Sequence, residues 1–481
     1  MPHPSAPDSQ TSDAQARRQK AIRAATDYFD RGDFLVDFTR RIAIPSSSQD
    51  PERQPALDAY LGDEMKPYLE ALGFSVTLLP NPVRAACPFL FAERLEDQAL
   101  PTVLTYGHAD TVQGMEGRWL DGLDPWRLEQ RGERLYGRGT ADNKGQHSIN
   151  LAALAEVLKQ RDGKLGYNVK VLLESGEEVG SPGLREVAAA QRARFAADLL
   201  LASDGPRVDP NQPTLYMGSR GAYNFSLTVK LRDGAHHSGN WGGVLANAGT
   251  RLVHALASLT SATGAIAVPG LRNKPLSNSL TDAYRKLKVS GGVGAPEIDD
   301  AWGEPNLSAP ERLYGWNTLE ILAYNTGGDV NRAINAIPGE AKAVCQLRFT
   351  PDTNWQEIIP SVAQHLAAQG FDDVTVAPDR NTAMPATRLP TDHPMVSWAA
   401  RSVATTLGAA PALLPNLGGT IPNDVFAEII GMPTIWVPHS YSGCQQHAPN
   451  EHLLAPVARQ GLALMAGLWW DLGEADFPRA A

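Results

Sequence analysis

Cysteine is scarce in this 481-residue chain: three residues, Cys87, Cys345 and Cys444, widely spaced and with no C-x-x-C pair. An odd, scattered set of this kind excludes a disulfide scaffold. Long apolar runs are missing as well. The longest obvious one, 462–470, falls well short of the ~18 residues of a membrane span, so no membrane partner is expected. Residues 1–13 are polar and rich in Pro, Ser and Asp, without the apolar core of a signal peptide, and read as the mobile tail of a cytoplasmic protein. Positive charge is in deficit, 43 Lys and Arg against 53 Asp and Glu for a net charge of -10, which removes the electrostatic case for a nucleic-acid partner. No repeat or low-complexity tract is visible. What is present is ordinary globular composition, 43% hydrophobic and 20% charged, over about three times the ~150 residues of a typical domain. Two or more packed units follow.

Apolar residues recur at helical spacing over 14–29 and 34–44, with Asp33 a fitting N-cap for the second run. A helical pattern over about 56–72 stops at Gly73 and gives way to the alternating run 74–79. Short β-type runs at 102–106, 168–173 and 198–202 then alternate with helical patterns near 144–159 and 184–195, the rhythm of an α/β domain with a largely parallel sheet. After Asp204 the rhythm changes. Two β-type runs, 214–217 and 222–231, precede a helical pattern over 244–259 and a Gly/Pro-rich irregular stretch over 264–310, too long for a simple loop. A β run at 340–349, a helix over 355–369 and a strand at 374–377 follow, and helix-strand-helix patterns resume at 395–407, 434–437 and 453–470. The expected organisation is a tail over 1–13, an α/β domain in two parts over 14–212 and 387–481, and an inserted α+β domain over 213–386.

The segment Tyr106-Gly107-His108-Ala109-Asp110-Thr111 follows directly on an apolar strand, and parallel α/β sheets place ligand sites at the carboxyl ends of strands. Residues two apart in an extended segment point the same way. Asp110 is thus placed to take one imidazole proton of His108 and leave the other nitrogen for a metal; a strand end that only hydrogen-bonds a loop is the plainer reading of the pair alone. The run Gly137-Arg138-Gly139-Thr140-Ala141-Asp142-Asn143-Lys144-Gly145 lacks the third Gly of a dinucleotide fingerprint and the ending of a P-loop, which leaves Asp142 at a helix start as a ligand or an ordinary N-cap. Glu177 and Glu178 repel each other unless a cation neutralises one; one would then ligate while the other takes a proton from water, and a solvated acidic turn is the alternative. Asp204 ends another apolar run, and His447, in His447-Ala448-Pro449-Asn450-Glu451, follows a further one. Together His108, Asp142, Glu178, Asp204 and His447 form a mixed imidazole and carboxylate set that suits Zn²⁺, or Mn²⁺ and Co²⁺. Five ligands are too many for one catalytic zinc and about right for two ions with a bridging carboxylate.

The order and wording of these motifs resemble the two-metal amidohydrolases and peptidases that include carnosinase-type dipeptidases, acetylornithine deacetylase, succinyl-diaminopimelate desuccinylase and glutamate carboxypeptidase, over about residues 34–470. The resemblance implies a zinc-peptidase-type α/β catalytic domain with a mainly parallel central sheet, interrupted by an inserted α+β lid and dimerisation domain. It implies His108 as a ligand oriented by Asp110, Asp142 bridging both ions and followed by a cis peptide, Glu177 as general base, and Glu178, Asp204 and His447 as the remaining ligands. His236-His237-Ser238-Gly239 resembles the segment whose His reaches the partner's site in dimeric members, and His237 takes that role. Gln346-Leu347-Arg348-Phe349 resembles the lid strand whose Arg binds the substrate carboxylate. Gly418-Gly419-Thr420-Ile421-Pro422 resembles a pocket-lining loop, with Thr420 where the family has Ser.

The activity so implied is hydrolysis of an amide bond beside a free carboxylate, by a water bridging two divalent ions and activated by Glu177, in a homodimer. Asp204, where many deacylases carry Glu, and the long insertion rank a dipeptidase first and an N-acyl-amino-acid deacylase second. A catalytically silent binding protein of the same fold would be expected to have lost a ligand or the base, and none is lost.

Overall fold

The computed structural model describes residues 9–289, 296–379 and 383–478. The first helix, Ser9–Asp30, begins five residues before the boundary expected for the tail; residues 1–8 lie outside the described residues. Arg18 on this helix pairs with Asp471 at 2.7 Å and donates to Thr406 at 2.8 Å, which ties the start of the chain to its last two long helices, Pro394–Leu407 and Ala455–Asp471. The next helix is Asp33–Ile42. Its cap is Gly32, in the left-handed region at φ 83°, where a residue with a Cβ is strained, so Asp33 is the first helical residue instead of the cap.

An eight-stranded sheet forms the larger unit, in the order Ser75–Leu79, Phe89–Arg94, Asn168–Glu174, Thr102–His108, Leu199–Ala202, Thr434–Trp436, Thr214–Tyr216, Ala412–Leu414. The middle of it is parallel: Asn168–Glu174 and Leu199–Ala202 flank Thr102–His108, and Thr434–Trp436 continues in the same sense. Strands buried on both faces read as continuous apolar runs, as Leu199–Ala202 does. One face packs on Lys144–Gln160 and the two C-terminal helices, with Leu154, Val169 and Leu462 in its core. The other packs Tyr106, Phe426 and Trp436 against each other edge to face. Each fully buried Leu or Val contributes about 1.5–3 kcal/mol. Helix Lys144–Gln160 is buried from Lys144 to Leu158, polar residues included, and His147 and Gln146 among these find partners inside the protein. His147 Nε2 meets the Tyr60 hydroxyl at 2.6 Å, and Gln146 donates to the Ala141 carbonyl at 2.9 Å.

The inserted unit is a four-stranded antiparallel sheet, ordered Thr318–Asn325, Ala336–Phe349, Gly221–His237, Val374–Pro378. Its core, including Phe225, Leu252, Leu347 and Val362, lies between this sheet and helices Ala248–Leu259 and Ile358–Ala368. Strand Thr214–Tyr216, expected to open the insertion at 213, pairs instead with Ala412–Leu414 and Thr434–Trp436 in the eight-stranded sheet. The chain crosses to the second sheet through Gly218–Ser219, which pairs with Thr387–Arg388 on the return. These two short strands form the stalk of the insertion.

The stretch read as irregular over 264–310 contains helix Asn278–Arg285 and leads into Ala309–Gly315. Ser277 caps the first by accepting from the Leu280 amide, and Ser308 with Glu311 makes a capping box on the second. Tyr284 and Tyr314 from these helices join the core of the eight-stranded sheet, and the Tyr284 hydroxyl donates to Asn416 at 2.9 Å. These two helices therefore pack on the larger unit, whereas Ile266, Val268 and Leu271 earlier in the stretch belong to the core of the inserted sheet.

Candidate active site

The parallel strands deliver the expected ligands to one edge. His108 is the last residue of Thr102–His108 and lies beside Glu174, the last of Asn168–Glu174; Glu177 and Glu178 follow in a single 3₁₀ turn, Glu177–Val179. Asp204 comes two residues after Leu199–Ala202. Asp142 stands at the end of a loop whose glycines are dictated by space. Gly139 has φ 88°, and a Cβ on Gly145 would lie 1.9 Å from the Thr140 carbonyl oxygen. The peptide between Asp142 and Asn143 is cis.

Asp142 reaches both ways. Its Oδ1 lies 2.9 Å from His108 Nε2, and its Oδ2 lies 3.1 Å from His447 Nε2. Asp204 Oδ2 is 3.8 Å from His108 Nε2, and Glu178 Oε2 is 3.1 Å from His447 Nε2. Two triads result, His108 with Asp142 and Asp204, and Asp142 with Glu178 and His447, and within each triad the ligand atoms lie within 4.8 Å of one another. All five sequence-predicted ligands are in them.

The donor set fits two divalent ions. Among the described residues Glu178 Oε1 is buried without a hydrogen-bond partner, an arrangement costly for a carboxylate unless a cation faces it. Burial and the neighbouring Asp142 push the Glu178 carboxyl up to about 7 and that of Asp204 up to about 6. Glu177 is pushed well above the usual carboxylate range by burial and by Glu178, Asp204 and Asp142. Burial opposes ionisation of Asp142 too, but hydrogen bonds from His108 and His447 outweigh it and hold this carboxyl low. Four carboxyl groups in one recess repel each other, and cations between them relieve that repulsion.

Asp110 faces the imidazole of His108 and braces a second element as well. The His108 Nδ1 proton has the Asp110 main-chain carbonyl as its nearest acceptor, at 3.0 Å, with carboxylate Oδ1 at 3.5 Å. A carbonyl only accepts, so Nδ1 carries a proton, while Nε2 faces Asp142. The Asp110 carboxylate also accepts from the backbone amides of Glu177 and Glu178, both at 3.1 Å, and from Ser48 Oγ at 2.6 Å. It holds the acidic turn against the histidine strand.

The second sheet supplies the opposite wall. In Ala336–Phe349 burial alternates, so Cys345, Leu347 and Phe349 enter the lid core while Gln346 and Arg348 turn outward; Asn224 and Ala222 do the same on the paired strand. Arg348 donates from Nε to Gln346 at 3.1 Å and from Nη1 to Thr420 at 2.7 Å. The resulting cleft, of about 640 Å³, is lined by Glu177, Glu178, His447, Asn224, Arg348 and Thr420 among others. Gly419, expected beside Thr420, is not among the lining residues. Nor is His237: it is exposed at the far end of Gly221–His237, with its Nδ1 accepting from the Gly239 amide at 3.1 Å. The sequence reading assigned no role to Ser48 or to Asn143, whose side chain donates to the Ser203 carbonyl at 2.9 Å and accepts from the His108 amide at 3.4 Å. Asn143 is next to Asp142, the one signal that pointed to it.

The family model described as Peptidase family M20/M25/M40 matches residues 104–471. The Beta-Ala-His dipeptidase of Homo sapiens is 27% identical over 405 residues, covering 80% of this chain and 78% of that protein. The cysteinylglycine-S-conjugate dipeptidase of Corynebacterium striatum is 27% identical over 369 residues, 74% of this chain and 76% of that protein. Among solved structures, the dipeptidase Dug1p of Saccharomyces cerevisiae matches with a TM-score of 0.77 at 20% identity, over 94% of this chain and 99% of that one, and so shares the α/β unit with its inserted lid. Since the family match runs from the strand that bears His108 to the final helix, the chain belongs to Peptidase family M20/M25/M40 and is a metallopeptidase.

Proposed function

We propose that this metallopeptidase is a dipeptidase that cleaves dipeptides and small peptides ending in a free carboxylate. The observation that carries this reading is the shared cleft: the Glu177–Glu178 turn and the anchored Arg348 line one space of about 640 Å³, within the ~300–1,000 Å³ range of small-molecule pockets. The named activities of the Homo sapiens and Corynebacterium striatum relatives, both dipeptidases, support it. His108, Asp204 and one Asp142 oxygen would hold one divalent ion, and Glu178, His447 and the other Asp142 oxygen a second. The imidazole and carboxylate set suits zinc first, with manganese or cobalt as alternatives. Bound ions would supply Lewis-acid polarisation of the scissile carbonyl and a water of lowered pKa.

The chain's own residues do the rest. Glu177 takes the proton of the attacking water and passes it to the departing amine. Arg348 grips the C-terminal carboxylate through the N–H groups that Gln346 and Thr420 leave free, and so fixes the scissile bond over the acidic turn.

We also infer a homodimer in which His237 serves the partner's cleft, donating to the carbonyl oxygen as charge develops on it. Its exposed position outside its own cleft supports this, as do the exposed apolar side chains Trp241 and Val244 just beyond it. A reducing, cytoplasmic setting is supported by the three cysteines, all buried and free.

The test is a substrate panel on protein loaded with zinc, manganese or cobalt: unblocked dipeptides, the same peptides as C-terminal amides, and N-acetyl amino acids. Unblocked dipeptides are expected to be turned over best. Preferred hydrolysis of N-acetyl amino acids would make the protein a deacylase, and metal-independent turnover would remove the dinuclear mechanism.

A further inference from the structure

We propose that Glu451 is a positioning residue that locks the two ligand loops into one unit and so fixes Asp142 between His108 and His447. Its side chain is 1% exposed and makes four contacts with a single loop. Oε1 accepts from the backbone amides of Ala141 at 2.9 Å and Asp142 at 3.0 Å. Oε2 accepts from the Gly139 amide at 3.1 Å and from Arg138 Nη1 at 2.7 Å. The Glu451 carbonyl takes the Gly137 amide as well, at 3.1 Å. The loop that ends in Asp142 is thus fastened along its length to one residue more than 300 positions later in the chain.

The other side of Glu451 is the His447 loop. Gln445, His447 and Asn450 all have left-handed backbones, at φ 60°, 60° and 67°, a strained run for residues with a Cβ. Such a run persists when its ends are held. The His452 amide donates to the Cys444 carbonyl at 3.0 Å, the Asn450 side chain accepts from the Leu120 amide at 2.7 Å, and Glu451 is the anchor between them. One buried carboxylate therefore sets where the Asp142 backbone lies and where the His447 loop ends. The two oxygens of Asp142 can face two histidines only if both loops keep register.

A plainer role would be neutralising the buried Arg138. Arg138 is also held by the Gln113 carbonyl, at 3.1 Å from Nε, and charge balance alone does not call for three backbone amides on the same carboxylate. The two roles separate by substitution. Glu451→Gln keeps the shape but puts an NH₂ group against one set of donors, whereas Arg138→Met removes the cation and leaves the amide contacts.

The inference rests on the dinuclear reading of the site, and the experiment separates the two. Zinc chloride is titrated calorimetrically into apo-protein, with the apo melting temperature recorded for each variant. Wild type is expected to bind two ions; fewer than two would sink the dinuclear reading itself. Glu451→Gln should weaken at least one ion by about tenfold or more, the usual scale for a group that orients a ligand. Its kcat for a dipeptide should fall while KM stays within about twofold, because the Arg348 anchor lies on the other sheet. Arg138→Met should keep the zinc affinities. Should Glu451→Gln fail to fold, Glu451→Asp decides: it keeps the charge beside Arg138, shortens the arm by one methylene and should still lose zinc affinity. Wild-type zinc affinities in a folded Glu451→Gln or Glu451→Asp, or an equal loss in Arg138→Met, would overturn the proposal.

Discussion

The strand ends of the larger sheet and the tip of the inserted sheet both present histidine, in opposite surroundings. His108 is fully buried, with Asp142 against one ring nitrogen and the Asp110 carbonyl against the other. His237 is exposed, and its Nδ1 accepts from the amide two residues on. Around His108 the polar groups are cross-braced by buried carboxylates, and a residue held that way is ready without rearrangement. Around the lid tip, Val244 is 74% and Ile334 76% exposed, and the edge strand Thr318–Asn325 turns Ile321, Leu322 and Tyr324 outward. A row of apolar side chains on an open strand edge is a surface to be covered. The proposed ligands all come from one chain, whereas the proposed oxyanion donor needs a second.

The largest effect that would sharpen this contrast is at Glu177. Glu177→Gln should lower kcat by about 10²-fold or more while metal content stays near that of the wild type, and Glu178→Gln should lose metal. Retained turnover in a fully loaded Glu177→Gln would remove Glu177 from the mechanism.

A subunit-mixing assay addresses the lid side. Glu177→Ala and His237→Ala are each expected to be inactive alone. After subunit exchange, half the dimers are mixed and one of their two sites has both groups, so roughly a quarter of wild-type activity should return. No recovery despite demonstrated exchange would leave His237 acting in its own chain or not at all, and the contrast would fail.

The smallest effect is at Arg348. A lysine cannot reproduce the two parallel bonds of a guanidinium, so Arg348→Lys should cut kcat/KM on the order of tenfold for free-carboxylate peptides and little for their amides. Equal losses on both would make Arg348 a structural residue.

Four of the five proposed ligands, His108, Asp142, Glu178 and Asp204, stood out in the sequence because they lie at or just past a strand end or in a glycine-shaped turn; His447 lies in a loop whose left-handed positions are not glycine. Arg348 was singled out by resemblance, and the two-residue alternation of its strand accounts for its facing the cleft. Other features depend on partners remote in sequence. Strand Thr318–Asn325 escaped because its apolar residues face solvent, so no clean alternation marks it. Thr214–Tyr216 carries the same kind of signal as a lid strand; only its pairing with Ala412–Leu414 assigns it to the larger sheet. Asp110 was read as a partner of the imidazole because residues two apart on an extended segment point the same way; that its carboxylate also serves amides 67 and 68 positions away was not visible there.

Anomalous diffraction from metal-loaded crystals tests the central claim most directly. The account predicts two peaks flanking Asp142, one also touching His108 and Asp204, the other Glu178 and His447. A single peak in fully loaded protein, or two that leave Asp142 on one side, would contradict it.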